Sequence, residues 1–384
     1  MGATIWAVIA GGGTAGHVSP GLAVAEEIVR RGTPRDAVRW IGSTRGLEAR
    51  LVPEAGFALL ALPGRGIQRR LTPRNLTSIV GLLIAIVRAT ISFARNRPAV
   101  LVALGGYASV PGVVAAIVWR VPIVLTEQNA VPSAANRLAA RFAKASAAPF
   151  PDSTLPNATW TGNPVRPEIC AVDRVSQRAD ARTRLGVAPE RILLLVMGGS
   201  LGARRINHAL FDALPAWIDR TDLAVHHIAG ERDHDELAGR VPVPTDAALD
   251  YRLVRYESDM ASVYAATDLV LCRAGGNSVA ELAVVGLPSI LVPLPGAPGD
   301  HQTANGRMLA DVDAAVLVRD DELDGPRLRQ EVEQLLDQPG RRIEMAEAAA
   351  RMGRPDAPAA IVDLVETYAR RPPSTEPLTS GSNQ

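Results

Sequence analysis

One glycine turn of this chain ends in an imidazole. An apolar run over residues 5–10 leads into the turn 11–16, then to His17 and a helix with apolar periodicity. This arrangement brings backbone N–H groups close to an anionic or sugar ligand at a helix N-terminus. Its glycine spacing also matches a dinucleotide fingerprint, which needs an acid at the end of the next strand. That strand ends in Gly42-Ser43-Thr44 instead, so the turn favours group transfer over a nicotinamide cofactor.

Another candidate site begins where the apolar run 269–272 meets Gly275-Gly276. Either Asn277 or Ser278 can cap the helix that starts there, and the helix dipole with its N-terminal amides suits a diphosphate. Glu281 is predicted in the first turn of this helix, three residues after Ser278. It either completes a capping box or holds the vicinal hydroxyls of a ribose. The close Gly-Gly approach before it favours the ribose.

The elements that position these turns are predicted to be two doubly wound α/β domains. Apolar runs rich in Val, Ile and Leu alternate with helical patterns, as expected for parallel strands buried on both faces. The predicted strands are 5–10, 38–41, 100–104, 123–126, 192–197, 225–228, 269–272, 289–292 and 315–318. Residues 192–204 repeat the strand and glycine loop of the first domain. Two such domains facing a deep cleft would bind ligands at the carboxyl ends of their strands.

The turn-rich stretch 161–167 marks the domain boundary, because helix is disfavoured there. We therefore expect an N-terminal domain, a C-terminal domain, C-terminal helices and a disordered tail rich in Pro, Ser and Thr. Their predicted ranges are 1–163, 164–342, 343–370 and 371–384.

The composition fits a globular protein and excludes several classes. The apolar fraction is 47%, and the two cysteines are far apart, so neither a disulfide framework nor a cysteine metal site is expected. The start lacks the basic region of a secretory signal. The net charge of +1 hides an asymmetry, because residues 1–160 contain 17 Lys and Arg against 7 Asp and Glu. An anionic partner for this half is indicated, with chance surface composition as the alternative.

The most hydrophobic segment, residues 79–87, is interpreted as too short to span a bilayer. Arginines flank it on both sides, at positions 65, 69, 70, 74, 88, 95 and 97. An apolar helix with basic margins can lie on an anionic membrane. An ordinary core helix is the alternative, and both hold if one face packs and the other is exposed.

Taken together, the motifs resemble those of the MurG family of peripheral glycosyltransferases. The order and spacing match over residues 4–370 for GGTAGH (12–17) with PGLAVA (20–25), GGYAS (105–109), EQN (127–129), GNPVR (162–166), GGSLGA (198–203), CRAGGNSVAE (272–281) and DHQTAN (300–305). The resemblance implies a GT-B fold. It also implies inverting transfer of GlcNAc from UDP-GlcNAc to the 4-hydroxyl of MurNAc-pentapeptide on undecaprenyl diphosphate, which is the conversion of lipid I to lipid II in peptidoglycan synthesis.

The resemblance also implies roles for individual residues. Thr14, Ala15 and Gly16 would line the sugar and diphosphate. The donor sugar would contact Asn129, and the nucleotide would contact Arg166 and Ser200. Gly276, Asn277, Ser278 and Val279 would hold the phosphates and Glu281 the ribose. Gln302, with His301 and Asn305, would recognise the GlcNAc hydroxyls. The last predicted helix, 358–370, would cross back to the first domain.

His17 is the candidate general base, since an imidazole with an ordinary pKa of about 6.5 accepts a proton near neutrality. A structural histidine that bonds a loop carbonyl or a phosphate is the alternative. Two positions depart from the family pattern: Ala15 replaces a glycine, and Thr126 stands where a histidine usually precedes EQN. Threonine cannot act as a base at neutral pH, which leaves more of the proton transfer to His17. We expect His208, His226, His227 and His234 to have no functional role.

Helix termini and loop amides can stabilise the diphosphate leaving group, so neither a metal nor a cofactor is expected. The expected partners are UDP-GlcNAc, the lipid-linked MurNAc-pentapeptide and an anionic membrane surface, with no nucleic acid. The expected location is the cytoplasmic face of the cell membrane. Three alternatives stay open: a UDP-sugar GT-B enzyme with another acceptor, a Rossmann oxidoreductase, and a non-catalytic nucleotide-sugar binder.

Overall fold

A computed structural model describes residues 4–63, 73–199 and 202–370. These residues form two compact units. The first unit contains residues 4–126, 134–146 and 361–370, and the second contains residues 127–133 and 147–360. The predicted disordered tail, 371–384, lies outside the described residues.

The first sheet has seven strands in the order β3-β2-β1-β4-β5-β6-β7, and the pairs from β3 through β5 are parallel. Its central strands are buried on both faces, which explains their continuous apolar sequence. The strands are β1 (Ala7–Ala10), β2 (Val38–Ser43), β3 (Ala58–Leu62), β4 (Val100–Ala103), β5 (Ile123–Thr126), β6 (Ala145–Ala148) and β7 (Ala158–Trp160). The helices of this part are α1 (Ala15–Arg30), α2 (Glu48–Glu54), α3 (Pro73–Arg95), α4 (Val110–Val118) and α5 (Ala134–Ala139).

The second sheet has six parallel strands in the order β10-β9-β8-β11-β12-β13. They are β8 (Ile192–Met197), β9 (Leu223–Ile228), β10 (Asp250–Val254), β11 (Leu269–Cys272), β12 (Ser289–Leu291) and β13 (Ala315–Leu317). The remaining helices are α6 (Pro167–Cys170), α7 (Arg174–Leu185), α8 (Arg204–Ala213), α9 (His234–Ala238), α10 (Met260–Ala266), α11 (Gly276–Val285), α12 (His301–Ala310), α13 (Gly325–Leu336), α14 (Pro339–Met352) and α15 (Ala357–Tyr368). Both faces of this sheet carry buried apolar clusters, one containing Trp217 and the other Tyr264.

Each sheet reverses its strand order at one point, and the glycine turns lie there. In the first sheet the reversal separates β1 from β4, and the turns are Gly11–Gly13 and Gly105–Gly106. In the second sheet it separates β8 from β11, which is followed by Gly275–Gly276. The carboxyl ends of strands at such a point leave a crevice for ligands. The sequence-predicted segments therefore lie where a doubly wound sheet binds its ligands.

The chain returns to the first unit at its end. Residues 361–370 belong to that unit, and α15 contacts α1 through Arg31, which pairs with Asp363 at 2.6 Å and with Glu366 at 2.9 Å. The amide of Arg370 donates to the carbonyl of Ala99 at 3.0 Å. These bonds connect the last helix to the first unit.

Candidate active site

The first glycine turn is hydrogen-bonded to β2, and its C-terminal end is accessible to solvent. Gly11 N donates to Ile41 O at 3.0 Å, and Trp40 Nε1 donates to Gly11 O at 2.8 Å. Thr14 is the N-cap residue of α1 and is exposed, whereas Ala15, Gly16 and His17 are half-buried. The segment predicted to line a sugar and a diphosphate is thus accessible from solvent within the first unit.

His17 lies in the first turn of α1, beside the turn that follows β4. Its Nδ1 is 3.3 Å from Thr14 Oγ1. A Cβ atom added to Gly106 would lie 3.6 Å from its Nε2, so the ring reaches the backbone of the GGYAS segment. Gly106 has φ +71°, a conformation that favours glycine. The imidazole is therefore held between the two turns at the strand-order reversal of the first sheet.

The N-terminus of α11 is the candidate anion-binding element of the second unit. The helix begins at Gly276 with Gly275 as N-cap, so neither Asn277 nor Ser278 caps it, and the capping prediction is wrong. The first intrahelical bond runs from Val279 N to Gly275 O at 2.9 Å, which engages the Val279 amide. Only the amides before Val279 can therefore face an anion. Asn277 Oδ1 accepts a hydrogen bond from Asn163 Nδ2 at 2.9 Å.

Glu281 points toward two partners in its own unit. It lies in the second turn of α11, not the first, so it forms no capping box with Ser278. Tyr264 Oη donates to its Oε2 at 2.9 Å, and Arg166 Nη2 lies 3.5 Å from its Oε1. Burial raises the pKa of the Glu281 carboxyl above its usual range, and the charge of Arg166 and the Tyr264 bond oppose that rise. The structure brings Arg166 and Glu281 together, and their contacts with a nucleotide stay predictions.

The EQN segment belongs to the second unit and packs on the start of α11. A Cβ atom at Gly276 would lie 2.1 Å from Gln128 O, so only glycine permits this approach. The buried carboxylate of Glu127 accepts from the amides of Gln128, Asn129 and Ser133 at 3.0 to 3.1 Å. These bonds hold Asn129 next to the helix N-terminus.

Asn305 anchors the same segment. It is completely buried, its Oδ1 accepts from Ala130 N at 2.8 Å, and its Nδ2 donates to Asn129 Oδ1 and Ala274 O at 3.1 Å. Its amide is thus engaged within the protein, and its contact with the GlcNAc hydroxyls stays a prediction. The structure gives Asn305 the role of positioning Asn129.

Two further predicted residues lie at the start of α12. His301 Nδ1 is 2.9 Å from Pro298 O, and Gln302 Oε1 accepts from Leu294 N at 2.9 Å. Both side chains are half-buried, which leaves them accessible to a ligand. Ser200, predicted to contact the nucleotide, lies outside the described residues.

The two histidines of β9, His226 and His227, are buried in the protein interior. His227 is completely buried and bonds Tyr251 Oη at 2.9 Å and Asn207 Oδ1 at 3.0 Å. Burial lowers the pKa of His227 to about 3. Burial also lowers the pKa of His226. Both imidazoles are therefore neutral at physiological pH and lie in the core.

Comparisons with known proteins agree with this geometry. The chain matches the Glycosyltransferase family 28 N-terminal domain over residues 7–148 and the Glycosyltransferase family 28 C-terminal domain over residues 193–361. The crystal structure of Acinetobacter baumannii MurG is similar with a TM-score of 0.76 and 29% identity, covering 95% of this chain and 99% of that one.

A curated relative decides the family. The UDP-N-acetylglucosamine--N-acetylmuramyl-(pentapeptide) pyrophosphoryl-undecaprenol N-acetylglucosamine transferase of Acidothermus cellulolyticus is 42% identical over 362 residues, which cover 94% of this chain and 97% of the relative. The chain belongs to the MurG family of glycosyltransferases. A MurG-family protein of the same name from a Nocardioides species is 44% identical over 319 residues, 82% of this chain and 85% of that protein. The predicted family and the GT-B fold with two Rossmann-like domains are confirmed.

Sequence reasoning missed three buried residues in this MurG-family site. Tyr264 bonds Glu281, Glu127 holds the EQN segment, and Glu48 bonds the first glycine turn. Two acids in apolar or glycine-rich surroundings were the available signal, because a carboxylate is rarely buried without partners. Nothing in the sequence distinguished Tyr264 from an ordinary core tyrosine.

Proposed function

We propose that this chain transfers GlcNAc from UDP-GlcNAc to the 4-hydroxyl of the MurNAc-pentapeptide carried on undecaprenyl diphosphate. The relatives' shared name supports both substrates. The single observation that carries the donor assignment is the pairing of the α11 N-terminus with Glu281 and Arg166. An anion suits the helix N-terminus, and a carboxylate five residues into the helix suits ribose hydroxyls.

The donor is bound by the second unit in this proposal. The diphosphate lies on the amides at the start of α11, the ribose on Glu281, and the nucleotide also meets Arg166. Asn129, held by Glu127 and Asn305, contacts the donor sugar, and Gln302 with His301 recognises its hydroxyls. Asn277 is held by Asn163 beside the phosphates.

The reaction is one displacement. The 4-hydroxyl oxygen of MurNAc forms a bond to the anomeric carbon of GlcNAc, and the bond from that carbon to the diphosphate oxygen breaks. UDP leaves with the electron pair, and inversion at the anomeric carbon results. His17 takes the hydroxyl proton as general base. The α11 amides stabilise the negative charge that grows on the leaving diphosphate. Thr14 orients the imidazole through Nδ1.

A transferase assay tests this function. The full chain is incubated with UDP-GlcNAc and a MurNAc-pentapeptide diphosphate on a short, soluble prenyl chain. UDP release that depends on the acceptor, with a disaccharide product that carries a β1→4 bond, is expected. UDP release with another sugar acceptor only would assign a different GT-B reaction. Binding of UDP-GlcNAc without turnover would indicate a non-catalytic binder.

The lipid carrier requires a membrane-facing surface, and α3 supplies one. The helix extends beyond the segment 79–87 that was predicted to be too short to span a bilayer, and its residues Thr77–Arg95 are long and apolar enough to do so by length and composition alone. One face packs in the first unit through Ala85, Ala89 and Phe93. Large apolar side chains are exposed on the other: Ile79, Val80, Leu83, Ile84, Val87 and Ile91. The partial packing supports a helix that lies on the membrane.

Exposed arginines accompany this face. Arg88 and Arg95 are exposed on α3 and suit anionic headgroups. The flanking Arg65, Arg69 and Arg70, and the side chain of Arg74, lie outside the described part of the chain. We propose a peripheral enzyme at the cytoplasmic face of the cell membrane.

Replacing Leu83 and Val87 by glutamate is expected to weaken binding to anionic vesicles by about 10-fold or more, because each change removes exposed apolar surface that the membrane would bury and adds a repelled charge. Flotation with vesicles that contain phosphatidylglycerol measures it. Turnover of the soluble acceptor should be unchanged. Ile343→Glu is the matched control, since Ile343 is exposed on α14 of the second unit. Equal vesicle binding by wild type and the α3 variant would contradict the membrane assignment.

A further inference from the structure

We propose that Glu48 is a positioning residue for His17, a role that rests on the proposed transferase function. Glu48 is the first residue of α2 and is completely buried. Its carboxylate reaches the first glycine turn, where Oε2 accepts from Gly13 N at 2.6 Å. Its Oε1 accepts from Ser43 N at 2.7 Å and from Ser43 Oγ at 2.8 Å. One carboxylate thus joins the end of β2 to the glycine turn after β1.

Three glycines form the space that Glu48 occupies. A Cβ atom at Gly12 would lie 2.1 Å from Glu48 Cδ, one at Gly42 would lie 2.5 Å from Cγ, and one at Gly46 would lie 2.0 Å from Oε2. Real Cβ atoms do not approach other atoms this closely. The absence of a side chain at these three positions therefore makes room for an internal carboxylate.

The contacts of Glu48 also explain why this turn is not a dinucleotide site. The sequence contains no acid at the end of β2. In the structure, however, the carboxylate of Glu48, five residues after the last residue of β2, lies at that strand end and is buried. Because Gly13 N donates to Glu48, that amide cannot also donate to a phosphate. Gly11 N is engaged by Ile41 O in the same way. The amides of Gly11 and Gly13 are therefore unavailable to a phosphate.

Few contacts separate Glu48 from His17. Gly13 precedes the N-cap Thr14, whose hydroxyl lies 3.3 Å from His17 Nδ1. All three bonds to Glu48 come from donors, so the site needs two acceptor oxygens. A glutamine at this position would place its NH2 group against a donor. The turn would then move away from β2 and carry Thr14 and His17 with it.

The test compares Glu48→Gln with the control Glu54→Gln, an exposed acid at the end of the same helix. With the full chain, E48Q is expected to lower kcat by about 100-fold, since misplacing a catalytic group by about 1 Å has that cost. The Kd for UDP should stay within about twofold, because the proposed nucleotide-binding groups Arg166, Glu281 and the start of α11 lie in the second unit. E54Q should match wild type. An unchanged kcat, or an equal loss of kcat and UDP affinity, would overturn the proposal.

A double-mutant cycle keeps the test valid if E48Q folds poorly. Gly46→Ala should lower kcat in the wild-type background, because all three atoms nearest to the added methyl belong to Glu48. In the Glu48→Ala background the same change should cost less than about twofold, since the clashing atoms are gone. Equal costs in both backgrounds would exclude the contact as the cause.

The NMR signal of the His17 ring separates this proposal from the transferase function. The signal is assigned by its loss in His17→Ala. It should shift in E48Q while the signal of the buried His227 does not. This measurement needs no turnover. An inactive wild type would therefore refute the transferase function but would leave the positioning role of Glu48 open to this test. An unchanged His17 signal would refute the positioning role.

Discussion

Replacement of His17 by alanine is expected to lower kcat by about 10²- to 10⁴-fold, the usual contribution of a positioned general base. The KM for UDP-GlcNAc should change little, because the groups assigned to the donor lie in the second unit. Steady-state kinetics with the soluble acceptor measure both constants. The structural basis is the position of the imidazole, with Nδ1 next to Thr14 and Nε2 next to Gly106.

His208→Ala is the matched control, since His208 is exposed on α8 and has no proposed role in the reaction. It should retain wild-type kinetics. Near-full turnover of His17→Ala with weaker donor binding would show that His17 only contacts the substrate. The base would then have to be sought elsewhere, and Thr126 does not qualify, because it is buried in β5 and cannot take a proton at neutral pH.

The fold was largely predictable because its central strands are buried on both faces. β5, β8 and β11 have the predicted bounds, since continuous runs of Val, Ile and Leu are typical of parallel strands that are buried on both faces. β3, β6, β7 and β10 were missed. Their sequences ALLAL, ASAA, ATW and DYRLV resemble helix or loop as much as strand. Pairing with a neighbouring strand decides their conformation, and no local pattern reports it.

The candidate site was predictable where a glycine turn marks it. The turns at 11–16, 105–106 and 275–276 all lie where strand order reverses. The groups that hold the turns were not predictable, because they come from other elements. Glu48 comes from α2, and Tyr264, which bonds Glu281, comes from α10. The predicted cap of α11 failed for a related reason: Gly275 starts the helix, and the Glu281 carboxylate turns toward Tyr264 instead of back to the helix N-terminus.

Replacement of Glu281 by glutamine is expected to raise the KM for UDP-GlcNAc by about 10- to 100-fold, because a hydrogen bond to a charged group contributes about 1.5–3 kcal/mol. A glutamine offers one acceptor oxygen where the ribose hydroxyls would use two. The same defect should appear in the Kd for UDP, measured by titration calorimetry. Glu168→Gln is the control, since Glu168 also lies near Arg166 but is mostly exposed. Its donor KM should stay within about twofold of wild type.

The pH dependence follows from the raised pKa of Glu281. Burial favours the protonated form, so as pH rises the folded protein keeps this proton after the unfolded chain has lost it. The contribution of Glu281 to stability therefore falls from the ordinary glutamate pKa up to the raised folded value, and the buried charge costs stability above it. Glu281→Gln removes that cost, so its thermal stability at neutral pH should equal or exceed that of wild type. The donor KM of wild type should rise on acidification at a higher pH than an exposed glutamate would produce, and the KM of the variant should not. A variant with wild-type donor affinity, or with the wild-type pH profile, would place the ribose elsewhere.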